Sequence, residues 1–342
     1  MLLKELCLLN GVAGNEKVVR DYILERLKDK IDDYKIDKIG NLIVSKKGMR
    51  SNSPTVLLCA HMDEVGLFIT DITSDGYLKF QTVGGIEPEI LISKTVLCGP
   101  NEVPGVIGSK AIHLQKPKER KKTIDLEDLF IDIGAESQAE AEEVVSLGDY
   151  VAFIAGFEAF GSDLLQAKAF DDRAGCAIIM ETLANRYSCD LLGAFTVQEE
   201  VGLRGSKVVS NYITADLAII IEATRAKDFI SSTPEDWLVE LEKGPACSLM
   251  DARTIYSPEL ISKVMKICQK YDLPLQYRRG TAAANDAGNL HLSGKGIPVI
   301  SLSLPCRNIH TMNSLISNQD YENCRKIVHR ILENIEFFCS QT

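Results

Sequence analysis

Two adjacent carboxylates, Glu199 and Glu200, follow an apolar run and come just before Gly202. The pattern predicts a β-strand that stops at a polar site. Because successive side chains of an extended chain point to opposite faces, we do not expect the two acids to do the same job. One could bind a metal ion while the other faces a substrate or a water molecule. An exposed, solvated strand end is the alternative interpretation.

Four further segments place residues that can bind a metal where a predicted strand ends or a helix begins. They are His61-Met-Asp63 after the strand 55–60, Asp171-Asp172 at the start of the helix 170–185, Glu222 at the end of the strand 217–221, and His310 in the loop after the strand 297–304. Each also has a structural interpretation, since a strand-end histidine is commonly structural and acids commonly cap helices. A carboxylate that ends a strand as apolar as 217–221 is costly to bury unless it is paired or bound to a metal.

These five places are expected to converge, because ligand sites in open α/β sheets gather outside the carboxyl ends of the strands. Two histidines and three carboxylates suit zinc or a related divalent ion. A shared carboxylate would hold two ions roughly 3.5–4 Å apart. Asp63 lies two residues after His61 and shares its face, where it can accept the other ring N–H and fix the imidazole.

The elements that must position these residues form two groups. Strands and helices alternate in residues 1–66 and 163–342, which predicts an α/β domain with a mostly parallel sheet flanked by helices. Short β-rich runs with Gly and Pro fill residues 67–162 and predict an inserted small all-β barrel or sandwich. Helices are expected at 1–9, 16–31, 139–145, 170–185, 258–271 and 319–338, and strands of the insert at 67–73, 77–83, 91–97, 103–107 and 150–154.

Composition excludes several classes of partner. The 342-residue chain has 48 acidic and 38 basic residues and a formal charge of −10, which argues against nucleic acid. The one basic stretch, 116–122, contains Pro117 and Glu119 and is expected to be a solvated loop. No apolar stretch approaches the ~18 residues of a membrane span, and no signal peptide is evident. The ten cysteines form no C-x-x-C pair, which favours free thiols and a cytoplasmic location.

Four segments resemble the signature sequences of a known family, the TET-type and glutamyl aminopeptidases. They are Ala60-His-Met-Asp-Glu-Val-Gly66, Phe170-Asp-Asp-Arg-Ala-Gly175, Val197-Gln-Glu-Glu-Val-Gly-Leu-Arg-Gly205 and Asn308-Ile-His310. The similarity extends over nearly the whole chain, in order. The family consists of dinuclear metallopeptidases, and some of its members have been labelled endo-1,4-glucanases.

The resemblance implies a metal-dependent aminopeptidase that hydrolyses N-terminal residues from peptides. It implies two divalent ions per subunit, zinc or cobalt, bound by His61, Asp171, Glu200, Glu222 and His310. Asp171 would bridge the ions, Glu199 would be the general base, and Asp63 would orient His61. The inserted β domain would mediate dimerisation, in many members within a dodecameric tetrahedral shell.

The chain departs from the family's pattern at three places. Glu222 stands where many relatives have Asp and others have Glu, so the ligand role survives. The segment Ala284-Asn-Asp-Ala287 replaces Gly-Thr-Asp-Ala, and Thr311-Met312 replaces the Ser-Pro that usually follows the histidine. The last two changes lie near the expected substrate pocket, so they bear on specificity more than on catalysis.

Two other functions stay open on the sequence alone. An endo-1,4-glucanase-type glycoside hydrolase would use two acids that flank the glycosidic bond and generally needs no metal. A non-catalytic assembly protein could keep the scaffold, although it would have no need of a buried Glu222. The preferred N-terminal residue and the physiological metal are not predicted.

Overall fold

The computed structural model describes residues 1–117, 121–229, 232–233 and 237–339, so part of the basic stretch 116–122 lies outside the described residues. The helices of the described part are α1 (Leu2–Cys7), α2 (Lys17–Leu27), α3 (Gln138–Glu142), α4 (Phe170–Leu183), α5 (Arg204–Val209), α6 (Pro258–Lys270), α7 (Ala287–Leu290), α8 (Asn318–Glu333) and α9 (Ile335–Cys339). Its strands are β1 (Asp33–Ile36), β2 (Leu42–Lys46), β3 (Thr55–His61), β4 (Gly66–Ile72), β5 (Leu78–Val83), β6 (Thr95–Cys98), β7 (Val103–Ser109), β8 (Leu129–Asp132), β9 (Tyr150–Phe153), β10 (Glu158–Phe160), β11 (Leu164–Ala167), β12 (Asp190–Thr196), β13 (Leu217–Arg225), β14 (Ala246–Ser248), β15 (Gln276–Arg278), β16 (Val299–Cys306) and β17 (Ser314–Ser317).

Eight strands form one sheet in the order β1-β2-β12-β3-β13-β16-β14-β15. The central strands β12, β3, β13 and β16 run parallel, whereas β2 joins β12 and β14 joins β16 in antiparallel register. The predicted α/β architecture is therefore confirmed, with the parallel pairing concentrated in the middle of the sheet. Parallel strands covered on both faces are continuous apolar runs, and β13 is buried along nearly its whole length.

Helices flank this sheet and share one hydrophobic core with it. Helix α6 begins where the hydroxyl of Ser257 accepts the N–H of Leu260 and Pro258 occupies the first turn, a combination that favours a helix start. The helix predicted over 319–338 is interrupted between α8 and α9. Asn334 lies at the break with a φ of −112°, and its side-chain amide donates to the carbonyl of Arg330, which competes with helix continuation. No described helix is long and apolar enough to cross a membrane.

A closed six-stranded barrel occupies the chain from Gly66 to Phe153, in the order β4-β5-β8-β7-β6-β9. Of the two arrangements predicted for this part, the structure has the barrel, which encloses a separate hydrophobic core. The predicted strand 91–97 is wrong at its start, because residues 91–93 form a turn and β6 begins only at Thr95. The strands β10 and β11 that follow the barrel pair with β17 in a small third sheet.

A buried ionic cluster connects the segment after β3 to the start of α4. The carboxylate of Glu64 accepts a hydrogen bond from Nζ of Lys168 at 2.8 Å and lies 3.4 Å from the guanidinium of Arg173. Arg173 also donates to the carbonyls of Met62 at 2.8 Å and Leu6 at 2.6 Å. All three charged side chains are buried. The two segments that carry the predicted site residues are therefore held against each other.

Replacement of Arg173 by Met should lower the free energy of unfolding by about 2–5 kcal/mol, because it leaves the carbonyls of Met62 and Leu6 without the guanidinium donors that bind them. Urea unfolding measures the loss, and Arg186→Met, at an exposed arginine, is the matched control. A loss below about 1 kcal/mol, the size of an ordinary surface change, would show that the cluster does not hold these segments together.

Candidate metal centre

The predicted ligands lie at one edge of the sheet, where the parallel strands end. His61 is the last residue of β3, and Glu222 lies three residues before the end of β13. Glu200 follows β12, His310 follows β16, and Asp171 lies in the first turn of α4. The five side chains therefore approach the position at which open α/β sheets bind ligands.

The carboxylate of Asp171 lies between the two histidines. Its Oδ1 is 3.0 Å from Nε2 of His61, and its Oδ2 is 3.6 Å from Nε2 of His310. Each histidine also has an acid of its own: Glu222 lies 3.5 Å from Nε2 of His61, and Glu200 lies 3.3 Å from Nε2 of His310. The five residues thus form two histidine–glutamate pairs that share one aspartate.

These donor atoms are close enough to surround cations. Ligand atoms of His61, Asp171 and Glu200 lie within 4.8 Å of one another, and so do those of His61, Asp172 and Glu222. Asp172 is a further candidate ligand. The sequence pattern indicated the pair Asp171-Asp172 without distinguishing its two members. Its Oδ1 accepts a backbone N–H of α4, whereas its buried Oδ2 has no hydrogen-bond partner among the described residues. Imidazole nitrogens and carboxylate oxygens are donors that divalent metals accept, so the residues present fit a metal centre.

Burial raises the pKa of the glutamates at this edge. It raises the pKa of Glu200 to about 7 and the pKa of Glu222 to about 8, and neighbouring carboxylates act in the same direction. Burial also raises the pKa of Glu199 well above its ordinary value. The pKa of Asp171 moves down, because hydrogen bonds from the two histidines outweigh its burial. Carboxylates crowded in this way are stabilised by cations.

The neighbouring carboxylates raise the pKa values of both histidines. Burial opposes the charged form of His310, but the Asp171 and Glu200 carboxylates outweigh it and raise the pKa of His310 to about 9. At His61 the burial is again outweighed, and the carboxylates of Asp171, Asp63 and Glu222 raise its pKa well above the ordinary value. A bound cation replaces such protons, since a metal binds the neutral imidazole.

The side chain of Asp63 holds the turn that contains the two adjacent acids. Its two carboxylate oxygens accept the N–H groups of Glu199 and Glu200, each at 3.0 Å. Nδ1 of His61 is 3.1 Å from the backbone oxygen of Asp63 and 3.6 Å from its carboxylate. The nearer partner of the His61 ring is therefore the backbone oxygen of Asp63. The Asp63 side chain instead positions the two acids through their backbone N–H groups, a contact that the sequence did not predict.

The strand predicted before the two adjacent acids is present, but the acids themselves lie in a turn, so the expectation that they lie in an extended chain is wrong. β12 stops at Thr196, and Gln198 has a positive φ of 54°, so the alternating faces of an extended strand do not apply here. The acids are still separated from each other. Glu199 approaches Nε2 of His61 only to 3.9 Å, whereas Glu200 faces the other histidine.

The loop 197–205 that carries these acids is fixed from outside. The side chain of Asn41 accepts the N–H of Val197 at 2.9 Å and donates to the carbonyl of Gly205 at 3.1 Å. Glu16 accepts the N–H of Gln198 at 3.0 Å. A Cβ at Gly205 would lie 2.4 Å from the backbone oxygen of Val197, so only glycine fits this approach.

A cavity of about 660 Å³ opens beside the acids, a volume typical of small-molecule sites. The residues of the candidate metal centre that line it are Asp171, Glu199, Glu200, Glu222 and His310. Its lining also contains four basic residues: Arg225, Lys227, Arg253 and Arg278. The sequence did not identify these residues because they come from three separate segments and form no motif.

The metal-free protein should lose thermal stability as the pH rises from about 5.5 to 8.5. The pKa values of Glu200, Glu222 and His310 are all raised in the folded state, so the unfolded chain releases these protons first and stability falls with pH. Added zinc should raise Tm by more at pH ~8 than at pH ~5.5, because it replaces the same protons.

Thermal unfolding of chelator-treated protein, with and without zinc, checks this pH dependence. The double variant Glu200→Gln/Glu222→Gln should show a flatter profile, because two of the titrating groups are removed. A Tm that rises with pH over this window in the metal-free wild type, or a zinc effect that is larger at the lower pH, would contradict the account.

Comparison with known proteins agrees with this architecture. The family described as M42 glutamyl aminopeptidase matches residues 40–327. The lysyl aminopeptidase of Pyrococcus furiosus is 32% identical over 347 residues, covering 98% of this chain and 97% of that protein.

Solved structures extend the comparison to the fold. The Pyrococcus horikoshii TET1 peptidase, described as able to assemble into a tetrahedron or a large octahedral shell, has a TM-score of 0.86 at 32% identity, with 96% of this chain and 98% of that chain covered. A Thermotoga maritima protein described as an endoglucanase has a TM-score of 0.81 at 34% identity, with 98% of each chain covered. The family match and the peptidase names support a peptide hydrolase with candidate metal-binding residues, and the chain belongs to the M42 glutamyl aminopeptidase family.

Proposed function

We propose that this protein is a metal-dependent aminopeptidase that uses two divalent ions, zinc or cobalt, and Glu199 as its general base. The observation that carries the proposal is the position of Asp171, whose two carboxylate oxygens face different histidines. Since each histidine has its own glutamate, the arrangement offers two sets of ligands with one carboxylate in common.

In this proposal, His61, Glu222 and Asp171 would hold one ion, and His310, Glu200 and Asp171 would hold the other. When bound, such a pair of cations polarises the scissile carbonyl and lowers the pKa of a water molecule. The protein's own side chains carry out the remaining steps. The burial of the ligands excludes bulk water, which strengthens every electrostatic interaction in the site.

Glu199 takes the proton of the attacking water and passes it to the leaving amine. Its side chain lines the cavity and is 11% exposed, so a substrate can reach it. Its backbone N–H is bound by Asp63, which makes Asp63 a positioning residue for the base as well as for the turn.

The glycoside-hydrolase alternative has less support from the geometry. Glycosidases place two carboxyl groups on either side of the bond, roughly 5–9.5 Å apart, with no role for paired histidines. Here the acids crowd around two histidines, and the ligand atoms lie within 4.8 Å of one another in each of the triplets His61-Asp171-Glu200 and His61-Asp172-Glu222. The endoglucanase description of a similar structure is therefore not extended to this chain.

Assembly is a further part of the proposal. Large apolar side chains are exposed on and beside the inserted barrel, among them Val106, Ile112, Leu114, Leu147 and Ile154. Exposed apolar groups of this kind are typical of interfaces. We infer that the barrel mediates a homodimer and that dimers can join into a dodecamer.

The ten cysteines are all free and nine are buried, which supports a reducing, cytoplasmic location.

Hydrolysis of leucine p-nitroanilide should be lost in chelator and restored by zinc or cobalt. The variant Glu199→Gln should still bind zinc but lose roughly 10²–10⁴-fold in kcat, the contribution of a general base. Glu143→Gln, at an exposed glutamate of the inserted segment, is the control.

The outcomes separate the two parts of the proposal. Activity that survives complete metal removal would reject the metal-dependent mechanism. Near-wild-type kcat in the Glu199→Gln variant would reject only the assignment of the base. Cleavage of a β-1,4-glucan in the presence of chelator, without cleavage of any aminoacyl substrate, would favour the glycoside hydrolase.

A further inference from the structure

The two histidines of the candidate metal centre are oriented by different parts of the fold. Nδ1 of His61 is 3.1 Å from the backbone oxygen of Asp63, two residues further along the same segment. Nδ1 of His310 is instead 3.0 Å from the backbone oxygen of Gly85, which belongs to the six-stranded barrel. Because a carbonyl oxygen only accepts hydrogen bonds, Nδ1 of His310 donates to it and Nε2 remains for an ion. The barrel therefore sets the orientation of one histidine.

The turn that supplies this carbonyl also lies against the second ligand of the same proposed ion. Gly84 and Gly85 follow β5 directly. A Cβ on Gly84 would lie 3.4 Å from Cβ of Glu200. A Cβ on Gly85 would lie 3.6 Å from Nδ1 of His310. The turn of the barrel thus forms one side of the site of His310 and Glu200.

His310 lies in a loop whose parts are bonded to one another. At its base, the backbone groups of Arg307 and Leu315 exchange two hydrogen bonds of 2.9 Å. Within it, the hydroxyl of Thr311 donates to the carbonyl of Asn308 at 2.7 Å. His310 has a φ of 63°, a conformation that a residue with a side chain keeps only where contacts hold it. A displacement of one part of this loop therefore displaces the histidine.

Met312 fixes this loop to the barrel. Its side chain is 5% exposed and belongs to the hydrophobic core of the barrel. In the described part of the chain, every other buried member of that core comes from residues 67–153. Methionine is long and flexible and fills irregular gaps in cores. Met312 is also one of the two residues after His310 at which the chain departs from the family's pattern.

We propose that Met312 is a positioning residue for His310, and that it makes the ion site of His310 and Glu200 depend on the barrel. The inference rests on the proposed function, because it concerns one ion of the same centre. The other pair, His61 and Glu222, lies on strands of the central sheet, and His61 is only 2% exposed. His310 is 27% exposed, so its orientation depends on its loop and on its hydrogen bond to the barrel.

Zinc affinity, measured by competition with a chromophoric chelator, tests this dependence without turnover. The Glu222→Gln background keeps the pair that contains His310. The Glu200→Gln background keeps the pair that contains His61. In the first background, Met312→Ala should raise the Kd for zinc roughly 10–100-fold, the range for loss of a residue that orients a metal ligand. In the second, it should change the Kd by less than about twofold, as for an independent site.

Two control variants separate positioning from a general loosening of the barrel. Val145→Ala shortens another buried side chain of the same core, outside the loop, and should leave both Kd values unchanged. Met312→Leu keeps the apolar volume and should restore most of the affinity that Met312→Ala loses.

A variant of the barrel itself tests the same contact if Met312→Ala does not fold. The added Cβ of Gly84→Ala would lie 2.7 Å from a side-chain carbon of Val65, and Gly84 has a φ of +86°, which favours glycine. The turn must therefore shift, and zinc binding in the Glu222→Gln background should weaken.

The number of ions retained by the chain with all its ligands gives a second readout. At a free zinc concentration that just fills the wild type with two ions, Met312→Ala should retain about one. Unchanged Kd values together with two retained ions would overturn the inference and leave the proposed function intact. Equal weakening of both sites, or the same loss in Val145→Ala, would also overturn it. A wild type that binds no zinc would instead overturn the proposed function.

Discussion

Carboxylates outnumber protein cations at one edge of the central sheet, and the segments around this edge hold them together against their mutual repulsion. Five acids, Asp171, Asp172, Glu199, Glu200 and Glu222, lie around two histidines where little water reaches them. Two like charges about 4 Å apart repel each other by roughly 4 kcal/mol at an effective dielectric constant of about 20, more than a typical hydrogen bond returns. Bound protons or bound cations must relieve this repulsion.

The protein cations nearest in sequence do not relieve it. Lys168 and Arg173 are already engaged by Glu64, and they hold the backbone around the site instead of neutralising it. The loop 197–205 is fixed by Asn41, Glu16 and the carboxylate of Asp63. The surrounding structure therefore keeps the acids close together although they repel each other. This arrangement is expected of a site that binds cations from solution.

Much of this edge could be predicted from the sequence, because its ligands follow long buried runs. The apolar residues before Glu222 and before His61 identify strands without ambiguity, and the convergence of strand ends follows from the topology of parallel sheets. Local patterns could not predict the geometry of the turn. The positive φ of Gln198 and the bonds from Asp63 depend on tertiary contacts, and an extended chain was the natural but wrong expectation.

The basic lining of the cavity was beyond prediction for a different reason. Arg225 ends a central strand, Arg253 lies in a loop, and Arg278 ends β15, an edge strand of three residues. Short strands such as β14 and β15 have too few residues to show a periodic pattern. Such residues share no motif and no spacing, so only the folded chain brings them to one cavity. The ligand assignments, the roles of Glu199 and Asp63, and the domain limits at 67 and 162 stay predictions.

Anomalous X-ray diffraction from crystals grown with zinc would locate the bound ions without any assumption about activity. Two zinc peaks per chain are expected on either side of the Asp171 carboxylate, one beside His61 and Glu222 and the other beside His310 and Glu200. A single peak, or peaks that do not contact Asp171, would contradict this expectation.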